Sequence, residues 1–253
     1  MHKYFAKPLF LGKKIEFLTE CHSTNDELLK RVRYGDDQEG YILYTDHQTK
    51  GKGQRGNAWI SEPKQNLLFS ILLRPKGLSV RSSHYLNLIA GLAICHVLDE
   101  QFGFESELKW PNDVYVNDRK IAGILVETIL EGYQVDDAII GIGLNVNQGY
   151  FSLPTATSVK IESKQAHIDR MDLLESIVSA IEAQYLFLKS QAFEKIQSRY
   201  YQKMRWRGEL HTFKDAEGTL EGEIIGIDET GRLLVKTFNQ LKRFDVKEIE
   251  FLH

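Results

Sequence analysis

Residues 109–127, Lys-Trp-Pro-Asn-Asp-Val-Tyr-Val-Asn-Asp-Arg-Lys-Ile-Ala-Gly-Ile-Leu-Val-Glu, say more about the fold than any other stretch of the chain. Val114–Val116 and Lys120–Glu127 are rich in apolar and β-branched residues, which is typical of strands. Asn117 and Asp118 lie between these runs and suit a tight turn. The stretch therefore predicts a β-hairpin with Lys120 in its second strand.

The surrounding sequence predicts further strands and helices from its apolar patterns. Aromatic and apolar runs predict strands at Tyr41–Thr45, Leu67–Leu73 and Ala138–Gly143. Apolar residues at helical spacing predict buried helices over Ser82–Phe102 and Met171–Lys189. The capping-box pattern from Thr24 to Glu27 predicts another helix that starts near Ser23.

The pattern changes after about Met204, where short apolar runs alternate with glycines. Leu233–Val235 and Ile249–Phe251 have the composition of strand cores, and repeated short strands with glycine turns predict a small β-barrel. We therefore predict an α+β fold with a larger mixed-sheet domain over residues 1–203 and a barrel over residues 204–253. So short a barrel is barely stable alone, so we expect it to dock on its neighbour.

Composition excludes several classes of protein. The formal net charge of the 253 residues is -3, whereas general nucleic-acid binders are more often basic. The two cysteines, Cys21 and Cys95, are too few for a disulfide framework and lack metal-ligand spacing, which favours a reducing compartment. The N-terminus has no apolar signal-peptide core, and the apolar stretch Leu86–Leu98 is too short to cross a bilayer. We predict a cytoplasmic protein that is not a membrane protein.

A glycine-rich basic loop lies between two of the predicted strands. Gly51–Gly56 matches the spacing G-x-G-x-x-G, but the dinucleotide fingerprint needs a helix directly after it, and Pro63 argues against one. Glycines let a backbone approach a ligand and present its N–H groups, while Lys50, Lys52 and Arg55 add positive charge. The loop predicts a cradle for a phosphate or carboxylate; the alternative is a solvated basic hairpin loop.

Four motifs, in this order along the chain, resemble those of biotin protein ligases. They are Ser23–Asn25, the loop Asp46–Trp59, the paired runs Lys109–Asp113 and Asp118–Glu127, and Gly141–Asn147. The resemblance covers roughly residues 15–150 and extends more weakly to the C-terminus. It implies a mixed-sheet catalytic domain of the biotin and lipoate ligase type, followed by an SH3-like β-barrel.

The resemblance also implies the roles of particular residues. The biotin contacts it implies are Ser23, Thr24, Asn25, Gln48, Lys52, Gly53, Gln54 and Lys120. The ATP contacts are Gly51, Arg55, Trp59, Asn112, Asp113 and Asn145, with Asn112 and Asp113 also near Mg²⁺. Catalysis is assigned to Lys120, Lys52 and Arg55. Hydroxyl and amide side chains suit the cyclic urea of biotin, and oxygen donors suit Mg²⁺.

Each of these residue types also has a structural alternative. Ser23 and Thr24 could only cap a helix, Trp59 could be a core aromatic, and Asn112 and Asp113 could be plain turn residues. Gln54 is a departure from the family pattern, because many relatives carry arginine there.

The implied reaction has two steps. ATP and biotin form biotinyl-AMP, and a lysine of a carboxylase's biotin carboxyl carrier domain then takes the biotin. Family members can form homodimers along a sheet edge. About twenty residues precede Ser23, too few for a helix-turn-helix domain, so we expect no DNA binding.

Two rival functions remain open. The first is a lipoate or octanoate ligase or transferase on a related fold, for which Cys21 would be a candidate nucleophile. The runs Trp110–Asp113 and Arg119–Gly123 favour biotin over this rival. The second is a non-enzymatic binding protein whose barrel recruits a partner.

Overall fold

The computed structural model describes residues 5–35 and 38–252, with the side chain of Arg55 left out. The strands are β1 (Ile15–Leu18), β2 (Ile42–Thr45), β3 (Leu67–Leu73), β4 (Glu107–Lys109), β5 (Asp113–Val116), β6 (Arg119–Glu131), β7 (Gln134–Leu144), β8 (Leu210–Asp215), β9 (Gly218–Ile227), β10 (Leu233–Lys236), β11 (Leu241–Phe244) and β12 (Glu250–Phe251). The helices are α1 (Thr24–Arg33), α2 (Tyr85–Phe102), α3 (Val159–Ser163), α4 (Arg170–Lys189) and α5 (Phe193–Lys203).

The larger sheet is mixed, as predicted. Within the described residues its strand order is β1-β2-β3-β7-β6-β5-β4, with β1 parallel to β2 and the other pairs antiparallel. One face packs against α2 and α4; α2 is apolar around most of its circumference, as expected of a helix buried between a sheet and another helix. On the opposite face, α1 packs on Leu43, Leu72 and Ile139, and a cavity lies beside the start of this helix.

The predicted hairpin of residues 109–127 is confirmed. Asn117 and Asp118 connect β5 to β6 with positive φ angles of 48° and 62°, the left-handed backbone of a two-residue turn. Trp110–Pro111, just before β5, is a cis peptide. The predicted strand Leu67–Leu73 agrees residue for residue with β3, while the predicted helix from Ser82 begins only at Tyr85.

In the described part of the larger domain, four elements were not predicted from the sequence, namely β1, β4, α3 and α5. All are short, and β1 has four half-buried residues with no clear alternation. In α5 only Ile196 and Tyr200 are buried, so its apolar stripe is narrow. Such segments take their structure from the neighbours on which they pack.

The C-terminal SH3-like barrel docks on the larger domain, as expected for a domain of this size. Its antiparallel strand order among described residues is β11-β10-β9-β8-β12. The indole Nε1 of Trp110 donates a hydrogen bond of 2.9 Å to the carbonyl of Gly231 in the β9–β10 turn. Phe213 and Ile224 of the barrel belong to the same buried apolar cluster as α2. The barrel is therefore held beside the Trp110 motif.

No helix in the described part of the chain is both long and apolar enough to span a membrane.

Candidate functional site

A cavity of about 340 Å³ lies on the α1 side of the mixed sheet. This volume suits a small organic ligand. Its wall comes from the start of α1, the glycine-rich loop, β5, β6 and β7, and the barrel segment 246–251. Predicted site residues in the wall are Ser23, Thr24, Asn25, Gln48, Lys52, Gly53, Gln54, Trp59, Asn112, Asp113 and Lys120.

Three glycines form the floor of the cavity, at Gly123 of β6 and at Gly141 and Gly143 of β7. A Cβ atom on Gly143 would lie 2.4 Å from the indole of Trp59, and one on Gly141 would lie 2.2 Å from Asn25 Oδ1. Glycine is thus needed for close approach to the sheet. The sequence signal was two glycines spaced i, i+2, which share one face of a strand, but no role was predicted for them.

Trp59 lies over this floor and is not a core aromatic. Its ring contacts the backbone positions of Gly123 and Gly143, and it lines the cavity. The ammonium of Lys120 is 5.6 Å from the ring centroid, within range of a cation–π interaction.

Lys120 is held at the cavity wall by its neighbours on both sides. Its ammonium pairs with the carboxylate of Asp113 across the β5–β6 hairpin at 2.7 Å. Its backbone N–H donates to the carbonyl of Thr155 at 2.7 Å, and its own carbonyl accepts from Thr157 N–H at 2.9 Å. The backbone of Lys120 is therefore held between β5 and residues 155–157, while its ammonium faces the cavity.

The glycine-rich loop is a small hairpin. Trp59 N–H donates to Gly51 O at 2.9 Å, and Gly53 N–H donates to Asn57 O at 2.7 Å around a 3₁₀ turn at Gln54–Gly56. Residues 57–66, all described, form no helix, so the dinucleotide-fingerprint interpretation is wrong. Gly51 is buried behind the wall.

Lys52 projects from this loop and pairs with Asp26 at the start of α1. The pair bridges two parts of the wall, the loop and the helix. Both side chains remain partly exposed, so an anionic ligand can reach the Lys52 ammonium.

The helix-capping interpretation of Ser23 and Thr24 is not supported. Ser23 is the N-cap residue of α1, but its side chain makes no capping hydrogen bond. Instead the backbone N–H of Thr24 donates to Gln48 Oε1 at 2.8 Å. Ser23 and Thr24 are both almost fully buried, yet they line the cavity, so both help to form its wall.

The structure does not bring all the residues predicted to contact ATP to the cavity. Asn112 lines the cavity, and its Nδ2 donates to Ile124 O at 2.6 Å, which leaves its oxygen for a ligand. Asn145 is buried, donates to Thr157 O at 2.9 Å and does not line the cavity. Its geometry is that of a residue that braces the segment after β7. The side chain of Arg55 lies outside the described part of the structure.

Lys109 was not predicted as a site residue, although it opens the Lys109–Asp113 motif. Its ammonium lies over the rings of Tyr115, at 5.3 Å, and Phe251 of β12, at 4.9 Å. Desolvation by burial lowers the pKa of Lys109, while the nearby Asp113 carboxylate opposes that shift. Lys109 therefore joins the barrel to the cavity wall.

Comparison with known proteins agrees with this fold and site. The protein-family model described as "Biotin/lipoate A/B protein ligase family" matches residues 18–145. The family model described as "Biotin protein ligase C terminal domain" matches residues 212–252. The fold is that of the biotin and lipoate ligase class. The chain belongs to the biotin/lipoate A/B protein ligase family.

Individual relatives are biotin ligases. A solved structure titled biotin protein ligase from Aquifex aeolicus in complex with biotin and ATP superposes with a TM-score of 0.78 at 31% identity, covering 94% of this chain and 98% of that one. The bifunctional ligase/repressor BirA of Bacillus subtilis is 31% identical over 84% of this chain. This chain spans only 66% of that relative's length. The biotin–[acetyl-CoA-carboxylase] ligase of Paracoccus denitrificans is 28% identical, covering 87% of this chain and 92% of that protein.

Proposed function

We propose that this chain is an ATP-dependent biotin protein ligase, which forms biotinyl-5'-AMP and transfers biotin to a lysine of a biotin carboxyl carrier domain. The observation that carries the proposal is the division of the cavity wall into two parts. Ser23, Thr24 and Gln48 give neutral hydrogen-bonding groups suited to a cyclic urea. Lys52 and Lys120 give positive charge suited to a carboxylate and a phosphate.

In the first step, the biotin carboxylate attacks the α-phosphorus of ATP and pyrophosphate leaves. The carboxylate is already ionised near neutral pH, since model carboxyl groups titrate near about 4. The barrier comes from bringing two anions together, and Lys120 of β6 and Lys52 of the glycine-rich loop offset that repulsion. The N–H groups of the glycine-rich loop add to this stabilisation.

Asn112 and Asp113 fit a Mg²⁺ ion that is held mainly by nucleotide phosphates. Each places a side-chain oxygen at the cavity wall, and Mg²⁺ commonly takes only one or two protein ligands besides phosphate and water. The described residues contain no group of three or more His, Cys, Asp or Glu side chains that could hold a metal ion. The ion would neutralise phosphate charge during the displacement.

In the second step, a lysine amine of the carrier attacks the mixed anhydride and AMP leaves. This amine must lose a proton first, because a free lysine has a pKa of about 10.4. Asp113 is a carboxylate at the cavity wall that can accept it.

The direct test is biotin-dependent exchange between ATP and pyrophosphate, followed by mass spectrometry of a carrier domain. Exchange with biotin and a mass gain of one biotin on the carrier would support the proposal. Exchange only with lipoate or octanoate would replace it with the related ligase activity, and no exchange with any of the three would favour a binding protein.

Several further properties are part of the proposal. The carrier is the biotin carboxyl carrier domain of a carboxylase, the site of action is the cytoplasm, and the chain acts without DNA or membrane binding. A homodimer paired along a sheet edge and the domain boundary between residues 203 and 204 also stay predictions.

Replacing Cys21 with alanine should leave ligase activity within about twofold of the unaltered chain. Desolvation by burial raises the pKa of the Cys21 thiol to about 11, so very little nucleophilic thiolate exists near neutral pH. Initial rates of carrier biotinylation would check this. A loss of more than about 100-fold, with the fold intact by circular dichroism, would instead implicate a thiol-dependent acyl transfer.

Replacing Gln54 with arginine should slow the release of biotinyl-AMP by roughly tenfold. Gln54 lines the cavity and can hydrogen-bond but supplies no charge, whereas a guanidinium adds a charge-assisted hydrogen bond to the adenylate. Release of radiolabelled biotinyl-AMP from both proteins would measure the difference. Gln54→Glu is the control and should release faster. Equal or faster release from Gln54→Arg would refute the idea.

A further inference from the structure

Glu127 lies next to the cavity without lining it, at the far side of Asn25. It follows Gly123 and Leu125 on the same face of β6, because alternate residues of a strand point to one side. Its Oε2 accepts a hydrogen bond of 2.7 Å from Asn25 Nδ2, and Leu125 O accepts a weaker one of 3.3 Å from the same nitrogen.

These acceptors determine which way the Asn25 amide is oriented. A carboxylate can only accept, so the Nδ2 group must face Glu127 and the Oδ1 atom must face Ser70. Ser70 Oγ is 2.6 Å from Asn25 Oδ1, an atom that can only accept. The single hydroxyl hydrogen of Ser70 is therefore committed to Asn25.

The hydrogen bond from Ser70 to Asn25 determines the direction of the next one, between Ser70 and Thr24. Their hydroxyl oxygens are 2.7 Å apart, which requires a hydrogen between them. Because the Ser70 hydrogen is already used, Thr24 must donate to Ser70. The Thr24 hydroxyl also lies 3.1 Å from Gln48 Oε1. That contact is the longest of the three, and Gln48 Oε1 already accepts the backbone N–H of Thr24 at 2.8 Å, so the hydroxyl hydrogen goes to Ser70. Thr24 is left with lone pairs, so it faces the cavity as an acceptor.

We propose that Glu127 is a positioning residue that sets the hydrogen-bond direction through Asn25 and Ser70, so that Thr24 presents an acceptor to an N–H of the substrate's cyclic urea. The inference rests on the proposed biotin ligase function. It assigns to Glu127 a part in the ligase's specificity for a cyclic urea. Without the carboxylate, the Asn25 amide can turn over. Ser70 would then accept from Asn25 and donate to Thr24, and the freed Thr24 hydrogen would turn to Gln48 Oε1 or to the cavity.

The test is a double-mutant cycle on biotin affinity, measured by calorimetry. Glu127→Leu should raise the biotin Kd about tenfold. The effect is limited because Leu125 O still accepts from Asn25 Nδ2 and keeps part of the preferred amide orientation. The kcat at saturating biotin should stay within about twofold. Glu127→Gln, whose amide oxygen can still accept, should restore the Kd to within about threefold. In the Thr24→Val background, Glu127→Leu should change the Kd by less than about twofold, because no hydroxyl remains to be oriented.

The possible outcomes distinguish a failure of the Glu127 inference from a failure of the proposed ligase function. If the unaltered chain binds biotin and Glu127→Leu binds it equally well, the positioning role is wrong and the ligase proposal stands. Fully additive effects of Glu127→Leu and Thr24→Val would also overturn the relay, since they would show that Glu127 does not act through Thr24. If the unaltered chain binds no biotin, the proposed function itself fails.

Discussion

Lys120→Met should lower the rate of biotinyl-AMP formation by about 10²- to 10³-fold, the effect expected when one preorganised charge is removed from a developing anion. Methionine keeps an unbranched stem of similar length beside Trp59, so the packing at the wall is largely preserved. What is lost is the ammonium that stabilises the reacting anions in the proposed mechanism. Biotin-dependent exchange of pyrophosphate into ATP measures this step without a carrier.

The same change also leaves Asp113 without its partner at 2.7 Å, and an unpaired carboxylate would repel phosphate. The double variant Lys120→Met/Asp113→Asn separates the two effects. We expect it to remain at least about 100-fold below the unaltered chain, because charge stabilisation is still missing. Lys214→Met is the matched control, since Lys214 is exposed on β8 and away from the cavity. Near-normal exchange by Lys120→Met would remove Lys120 from the mechanism.

Local chemistry explains which parts of the fold could be predicted. The β5–β6 hairpin was predictable because its turn residues and its apolar runs are adjacent in sequence. The strand β1 was not, because Ile15–Leu18 becomes a strand only by pairing with β2. A four-residue element of this kind has no periodicity of its own to read.

The features of the candidate site also differ in how far the sequence could predict them. The glycine-rich loop and Lys120 stand out in the sequence through their motif, whereas the contact between Asn25 and Glu127 joins residues 102 positions apart. The predicted nucleotide contact Asn145 is a polar residue in a recognisable motif, yet it faces Thr157 rather than the cavity. Strand β7 ends at Leu144, so Asn145 does not continue the alternation that places Gly141 and Gly143 at the cavity floor.

Gly143→Val should weaken biotin binding by about 100-fold, roughly 2.8 kcal/mol at about 1.4 kcal/mol per tenfold change. Gly143 belongs to the floor, where a Cβ atom would already lie 2.4 Å from the indole of Trp59. Valine suits a β-strand, so the fold should survive while the added methyl groups displace the indole and fill space at the cavity floor. Calorimetric titration with biotin, alongside a thermal melt, measures both properties.

Two comparisons decide whether the floor itself excludes the ligand. Gly149→Ala, at a position with no atom within 4 Å of the added Cβ, should leave biotin affinity unchanged. Adding Trp59→Ala to Gly143→Val removes the clash with the indole but not the methyl groups above the sheet. If the floor binds the bicyclic ring of biotin, the double variant stays weak. Recovery of biotin affinity in the double variant would mean that the displaced indole, rather than a filled floor, caused the loss. Unchanged affinity in Gly143→Val alone would place the bicyclic ring elsewhere in the cavity.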